Sequence, residues 1–232
     1  MDIVPSDWST RHKKLQKMIR KRECFTEAVS SALKLHEEIH MSCAAGGTHK
    51  NLIDDLFKDL QPHEYTVMPT SKDETIAWAV WHIARIEDLT MNILVGEGQQ
   101  VFNDAWKQRI GVSVADTGNA MADGEIMDFS KRINVNELLN YRNAVGIRSR
   151  EILRGLKPED MKRQIKHGDT TRILDEGGVT RQKDSVWLLD FWGKKDVAGI
   201  ILMPLTRHQT LHLNDCDKWK KAIRTRKKFF LE

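Results

Sequence analysis

The chain has 232 residues, of which 40% are hydrophobic and 30% charged, and 37 basic against 33 acidic side chains leave a formal net charge of +4. This composition can build a core without disulfides, and a charge so nearly balanced gives no argument for a nucleic-acid partner. No apolar run is long enough to span a bilayer, residues 1–22 are polar and basic rather than a signal core, and Cys24, Cys43 and Cys216 form no CxxC pair. The expectation is a soluble cytoplasmic protein with no membrane partner.

In chain order, Ser6 or Ser9 is placed to cap a first helix reaching about residue 22, with Trp8, Leu15, Met18 and Ile19 on its apolar side. Its basic residues, like those of the run 218–228, read as solvated faces. A second helix is predicted over about 24–43, where Val29, Ala32, Leu33, His36, Ile39 and His40 recur at helical spacing until Ala45-Gly46-Gly47. Residues 51–60 read as a short helix. The strongest element follows: Thr70 or Ser71 as cap, then Thr75, Trp78, Ala79, His82, Ile86, Leu89 and Ile93 on one face to about residue 95.

Residues 99–133 read as a Trp106 segment and then a loop carrying Gly111, Gly118 and Gly124. A helix over about 135–153 comes next. Residues 163–182 show no helical stripe, and a two-strand ribbon of 163–166 with 171–174 is the expectation there. Residues 185–191 read as a short amphipathic turn. A last long helix spans about 195–226, kinked at Pro204 because proline lacks the backbone donor and crowds the preceding turn. With no repeat or linker in the sequence, 1–232 reads as a single domain: a bundle core over about 24–226 behind an N-terminal helical extension, 1–22. The four long helices, 24–43, 74–95, 135–153 and 195–226, form the bundle.

His208 and His212 are four residues apart, so both imidazoles leave one helix face a turn apart, together with Leu205, Asp215 and Trp219. That spacing suits a tetrahedral zinc-type ion, and His82 in the middle of another apolar stripe would complete three ligands with an open fourth position, the pattern of catalytic zinc. Spacing alone leaves the alternative open that these are ordinary core histidines. His36-Glu37-Glu38-Ile39-His40 also matches HExxH, but no third zincin ligand follows; Cys43 and Gly46 stand where the extended motif would have its glycine and histidine. His36 and His40 are therefore read as lining the pocket or packing. Asp215 is read as a carboxylate that orients a ligating imidazole or acts as a base, with a rim salt bridge as the alternative. Walker, GxGxxG and GxSxG motifs are absent.

The segments Trp81-His82-Ile83-Ala84-Arg85-Ile86-Glu87-Asp88 and Arg207-His208-Gln209-Thr210-Leu211-His212-Leu213-Asn214 resemble, in order and separation, the second and fourth helices of the DinB-like superfamily. The resemblance covers about 24–226. It implies an all-α, up-down-down-up four-helix bundle, here with an extra N-terminal helix and an irregular insert before the last helix. It also implies a homodimer, and a divalent ion, zinc or nickel, held by His82, His208 and His212. Relatives of the class include bacillithiol- and mycothiol-dependent transferases, so the resemblance implies a metal-dependent thiol S-transferase or hydrolase using a low-molecular-weight thiol and a small-molecule substrate. The competing expectation is a non-catalytic, metal-binding or stress-related helical bundle.

Overall fold

The structure is a computed structural model that describes residues 3–47, 49–226 and 228–232. Lys227, in the basic run near the end of the chain, lies outside the described residues. Among them there is no strand, only isolated bridges between Met68 and Leu231 and between Gln164 and Asp196. The helices in chain order are α1 (Trp8–Met18), α2 (Phe25–Glu37), α3 (Ser42–Ala45), α4 (Leu52–Lys58), α5 (Ile76–Glu87), α6 (Asp104–Ile110) and α7 (Asp123–Arg132). They continue with α8 (Val135–Gly155), α9 (His167–Asp175), α10 (Lys183–Gly193), α11 (Val197–Leu202) and α12 (His208–Thr225). Two π-helical stretches, Asp88–Val95 and Met203–Arg207, extend α5 and join α11 to α12.

The bundle is a square of four elements. Helix α5 packs on α8 and α12, while α2 packs on α8 and on the π-helical stretch that precedes α12. Helix α5 is buried on every side, Arg85 and Glu87 included, so it is the central rod of the molecule rather than the one-sided amphipath its stripe suggested. Its cap is Thr75, whose hydroxyl accepts from the backbone N–H of Trp78 at 3.1 Å, and not Thr70 or Ser71. Helix α1 starts behind Asp7 without a side-chain cap, in place of Ser6 or Ser9. It packs on α2 and α11 through Trp8, His12 and Leu15, and Lys13, Lys14 and Lys17 face solvent.

Four further expectations are corrected. The 24–43 helix breaks after Glu37: Asn51 Nδ2 donates to the His40 carbonyl at 2.7 Å and Arg142 to that of Ile39 at 2.5 Å, so these carbonyls face outward instead of continuing the ladder. Residues 167–175 are helical, with Thr170 and Ile173 buried one turn apart, so there is no ribbon. The extended partner of Arg163–Ile165 is the stretch 195–197, through bonds of 3.0 Å between Ile165 N and Lys195 O and between Val197 N and Arg163 O. Residues 123–132, read as loop, are helix α7, and 183–193 is a full helix rather than a turn. At Pro204 the missing donor lets the ladder slip into the π-helical stretch, and Thr206 Oγ1 donates to the Ile201 carbonyl at 2.8 Å.

The π-helical stretch after α5 begins on a saturated buried carboxylate. Asp88 accepts from Arg85 (3.0 Å), Tyr141 (2.7 Å), Asn92 (2.9 Å) and the backbone N–H groups of Val101 and Phe102 (both 2.8 Å). Replacing Asp88 with Ala would strand the fully buried Arg85 guanidinium. A loss of about 3–5 kcal/mol in urea unfolding is expected, and a loss below about 1 kcal/mol would contradict this account of the stretch.

Candidate metal centre

His82 comes from the middle of α5, and His208 and His212 come from the first turn and a half of α12. The structure brings the three together. Ring centroids are 5.1 Å apart for His82 and His208, 4.8 Å for His82 and His212, and 4.7 Å for His208 and His212. One ring nitrogen from each lies within 4.8 Å of the others. The rings are tilted to one another by 59–70°, so they converge on a point instead of stacking.

A strip of backbone fixes the His82 side. Four consecutive carbonyls accept from four side chains of α5: Ala115 from Arg85 Nε (2.9 Å), Asp116 from Trp81 Nε1 (2.9 Å), Thr117 from His82 Nδ1 (2.8 Å) and Gly118 from Trp78 Nε1 (3.1 Å). A carbonyl only accepts, so His82 carries its proton on Nδ1 and turns a bare Nε2 lone pair toward His208 Nε2, 3.2 Å away. Trp78 stacks on the His82 ring at 4.6 Å and meets His212 edge-on at 6.0 Å. Gly118 has a φ of +76°, and a Cβ there would lie 2.7 Å from Trp78 Nε1, so the strip needs glycine on both counts.

Burial keeps the imidazoles neutral. It is the main cause that pushes His208 down to about 3 and His212 down to about 4, and it holds His82 well below the ordinary value, with His212 and His208 adding to the effect. Neutral nitrogens with free lone pairs are the donor set a divalent transition ion takes. His208 and His212 each leave Nδ1 buried without a partner.

All three histidines line a cavity of about 690 Å³, within the usual range for small-molecule sites. Trp78, Ile86, Met121, Ile126, Met203 and Pro204 form part of its wall, and the insert before the last helix supplies Trp187, Leu188, Phe191 and Trp192 through α10. Among the lining groups, Met121, Ile126 and Leu188, like the Thr117 carbonyl, carry no signal in the sequence that marks them as part of a site. The run Asp116-Thr117-Gly118-Asn119 has turn composition, but nothing in it announces four carbonyls in register with a helix.

Three other candidates fall elsewhere. Among the described residues Asp215 makes no hydrogen bond to an imidazole, and its charged neighbours are Lys218, Asp73 and Glu74. His36 and His40 do not line the cavity. Fully buried and stacked at 4.1 Å with 20° between planes, they point Nε2 at separate oxygens of Glu87, each at 2.9 Å. Gln209 Nε2 also donates to Glu87, and the Gln209 Oε1 accepts from Arg142 at 2.9 Å. These two histidines and Glu87 also lie close enough to be considered for a metal. Stacked rings on separate oxygens, both oxygens occupied and Arg142 alongside favour a hydrogen-bonded carboxylate instead. Burial opposes Glu87's charge, but His40 and His36 outweigh it and hold the carboxyl well below its usual range. In the same cluster burial pushes His40 down to about 3.

A family model described as the DinB superfamily matches residues 48–215. A search of curated proteins gives no match.

Two outcomes follow from this geometry. Gly118→Ala is expected to cost about 1–3 kcal/mol, because it strains a left-handed residue and crowds Trp78; unchanged denaturant stability would contradict the role of the strip. Unfolding frees His40 to protonate at about 6.5 while the folded state resists until about 3, so the unfolded chain binds more protons in that window. Metal-free protein should therefore lose stability as pH falls from about 6.5 toward 3, by up to about 1.4 kcal/mol per unit for this group. Thermal melts that stay level between pH 7 and 4.5 would contradict it.

Proposed function

Because the chain belongs to the DinB superfamily, we propose that His82, His208 and His212 hold one divalent transition ion, zinc or nickel, and that the protein is a metal-dependent enzyme acting on a small molecule in the adjoining cavity. The observation that carries this reading is the convergence of three neutral imidazoles, one with its tautomer set by the Thr117 carbonyl, on the wall of that cavity. The contiguous apolar core from Ile3 to Ile223 supports treating the chain as a single domain built around this site.

When bound, such an ion would supply the acidity that makes a thiol or a water nucleophilic near neutral pH. The reaction proposed is substitution at an electrophilic carbon. The sulfur of a low-molecular-weight thiol forms the new bond, the leaving group (chloride from a chlorinated aromatic) departs with its bonding pair, and the thiol proton passes to solvent. Hydrolysis is the counterpart when water takes the thiol's place. The chain's own residues do the positioning. Thr117 holds the proton on His82 Nδ1, Trp78 fixes the plane of that ring, and Leu188, Phe191 and Trp192 keep part of the cavity wall apolar, which strengthens charge interactions inside it.

Elemental analysis of protein purified without chelator should find one transition metal per chain, and His208→Ala should lose it while keeping its helical circular dichroism. The loaded protein should conjugate a small thiol to a chlorinated aromatic, and lose that activity with a chelator. Metal bound with no turnover across a panel of thiols and esters would favour the non-catalytic bundle, and protein that takes up no metal would overturn the site.

A further inference from the structure

We propose that the cavity takes an organic cation, a molecule with an apolar or aromatic body bearing an ammonium group, and that Glu74 is the counter-charge selecting it. This depends on the cavity being the substrate site, but not on the histidines holding a metal.

The wall is aromatic and sulfur-rich: Trp78, Trp187, Phe191, Trp192, Met121 and Met203. Its charged lining is one-signed apart from Lys72, with Asp73, Glu74 and Asp123 and no arginine. Lys72 and Asp123 are exposed, whereas Asp73 and Glu74 are half-buried. Asp73 is already engaged, accepting from Thr70 Oγ1 at 2.5 Å and from Trp219 Nε1 at 2.8 Å. Glu74 has no such partner: among the described residues no other side chain hydrogen-bonds or ion-pairs with it, and its charged neighbours are Asp215, Asp73 and Asp123. Burial first, and those like charges next, push its carboxyl above the ordinary range.

A half-buried carboxylate beside like charges and aromatic faces is stabilised by a cation, and ammonium groups are attracted both to carboxylates and to the faces of tryptophan and phenylalanine. An anion entering the same space would meet Asp73 and Glu74 in a region where apolar walls weaken screening.

Three probes of nearly equal shape separate the possibilities: 3-phenylpropylammonium, 3-phenylpropanol and 3-phenylpropionate. Titrated by calorimetry or tryptophan fluorescence at pH 7.5 into metal-free protein, the ammonium should bind about tenfold tighter than either analogue. Glu74→Gln should remove about that tenfold while leaving the affinity for the alcohol unchanged. Equal or tighter binding of the carboxylate, an unaffected Glu74→Gln variant, or no binding of any probe would each overturn the proposal. Zinc uptake measured on separate samples of the same preparation keeps the two readings apart. Loss of the metal with a retained ammonium preference removes only the catalytic reading, and a retained metal without the preference removes only this one.

Discussion

Four successive backbone carbonyls, from Ala115 to Gly118, lie along α5 and accept one side-chain N–H each from Arg85, Trp81, His82 and Trp78. Much of the site depends on this register. It satisfies one buried N–H on each of four side chains of a helix buried on all sides, and it seats the loop that bounds the cavity. It also decides which nitrogen of His82 has a free lone pair. A shift of the strip by one residue would move a different carbonyl opposite His82 and leave buried donors on α5 unpaired, which costs about 1–3 kcal/mol for each. The glycine at its end is there because no other residue combines the left-handed backbone with contact against the Trp78 indole.

The two histidine pairs show why spacing alone does not define chemistry. His36 and His40, and His208 and His212, are both four residues apart. The first pair stacks with its nitrogens parallel and is taken up by the two oxygens of one carboxylate, Glu87. The second pair is splayed by 70° and left free to converge with His82. The clusters are joined through Gln209, which neighbours His208 in sequence, donates to Glu87 and accepts from Arg142. The buried carboxylate thus helps set how α12 sits against α5, and thereby where the histidines of the two helices meet.

Much of the frame was legible in the sequence because it obeys simple periodicities. The stripe through Trp78, His82 and Ile86, the HxxxH spacing at 208 and 212, and the irregularity at Pro204 all rest on helical geometry and proline chemistry. What was not legible depends on contacts between distant segments. The interruption after Glu37 is made by Asn51 and Arg142, remote in sequence, and the true partner of Arg163–Ile165 is 195–197 rather than the adjacent hairpin candidate. Short helices such as α7 and α9 lack the length that makes a stripe readable. Asp215 is three residues after His212 on the same helix, yet among the described residues it makes no hydrogen bond to an imidazole, and its charged neighbours are Lys218 and Asp73. No motif marks Glu74, because its value comes from the cavity it lines.

The central claim is that imidazoles from two helices serve one ion, and X-ray absorption at the zinc edge of protein loaded with one equivalent addresses it directly. The account predicts the multiple-scattering pattern of three imidazoles with Zn–N distances of about 2.0–2.1 Å and one lighter ligand, falling to two imidazoles in His82→Ala. A spectrum fitted by oxygen ligands alone, or one that His82→Ala leaves unchanged, would contradict it.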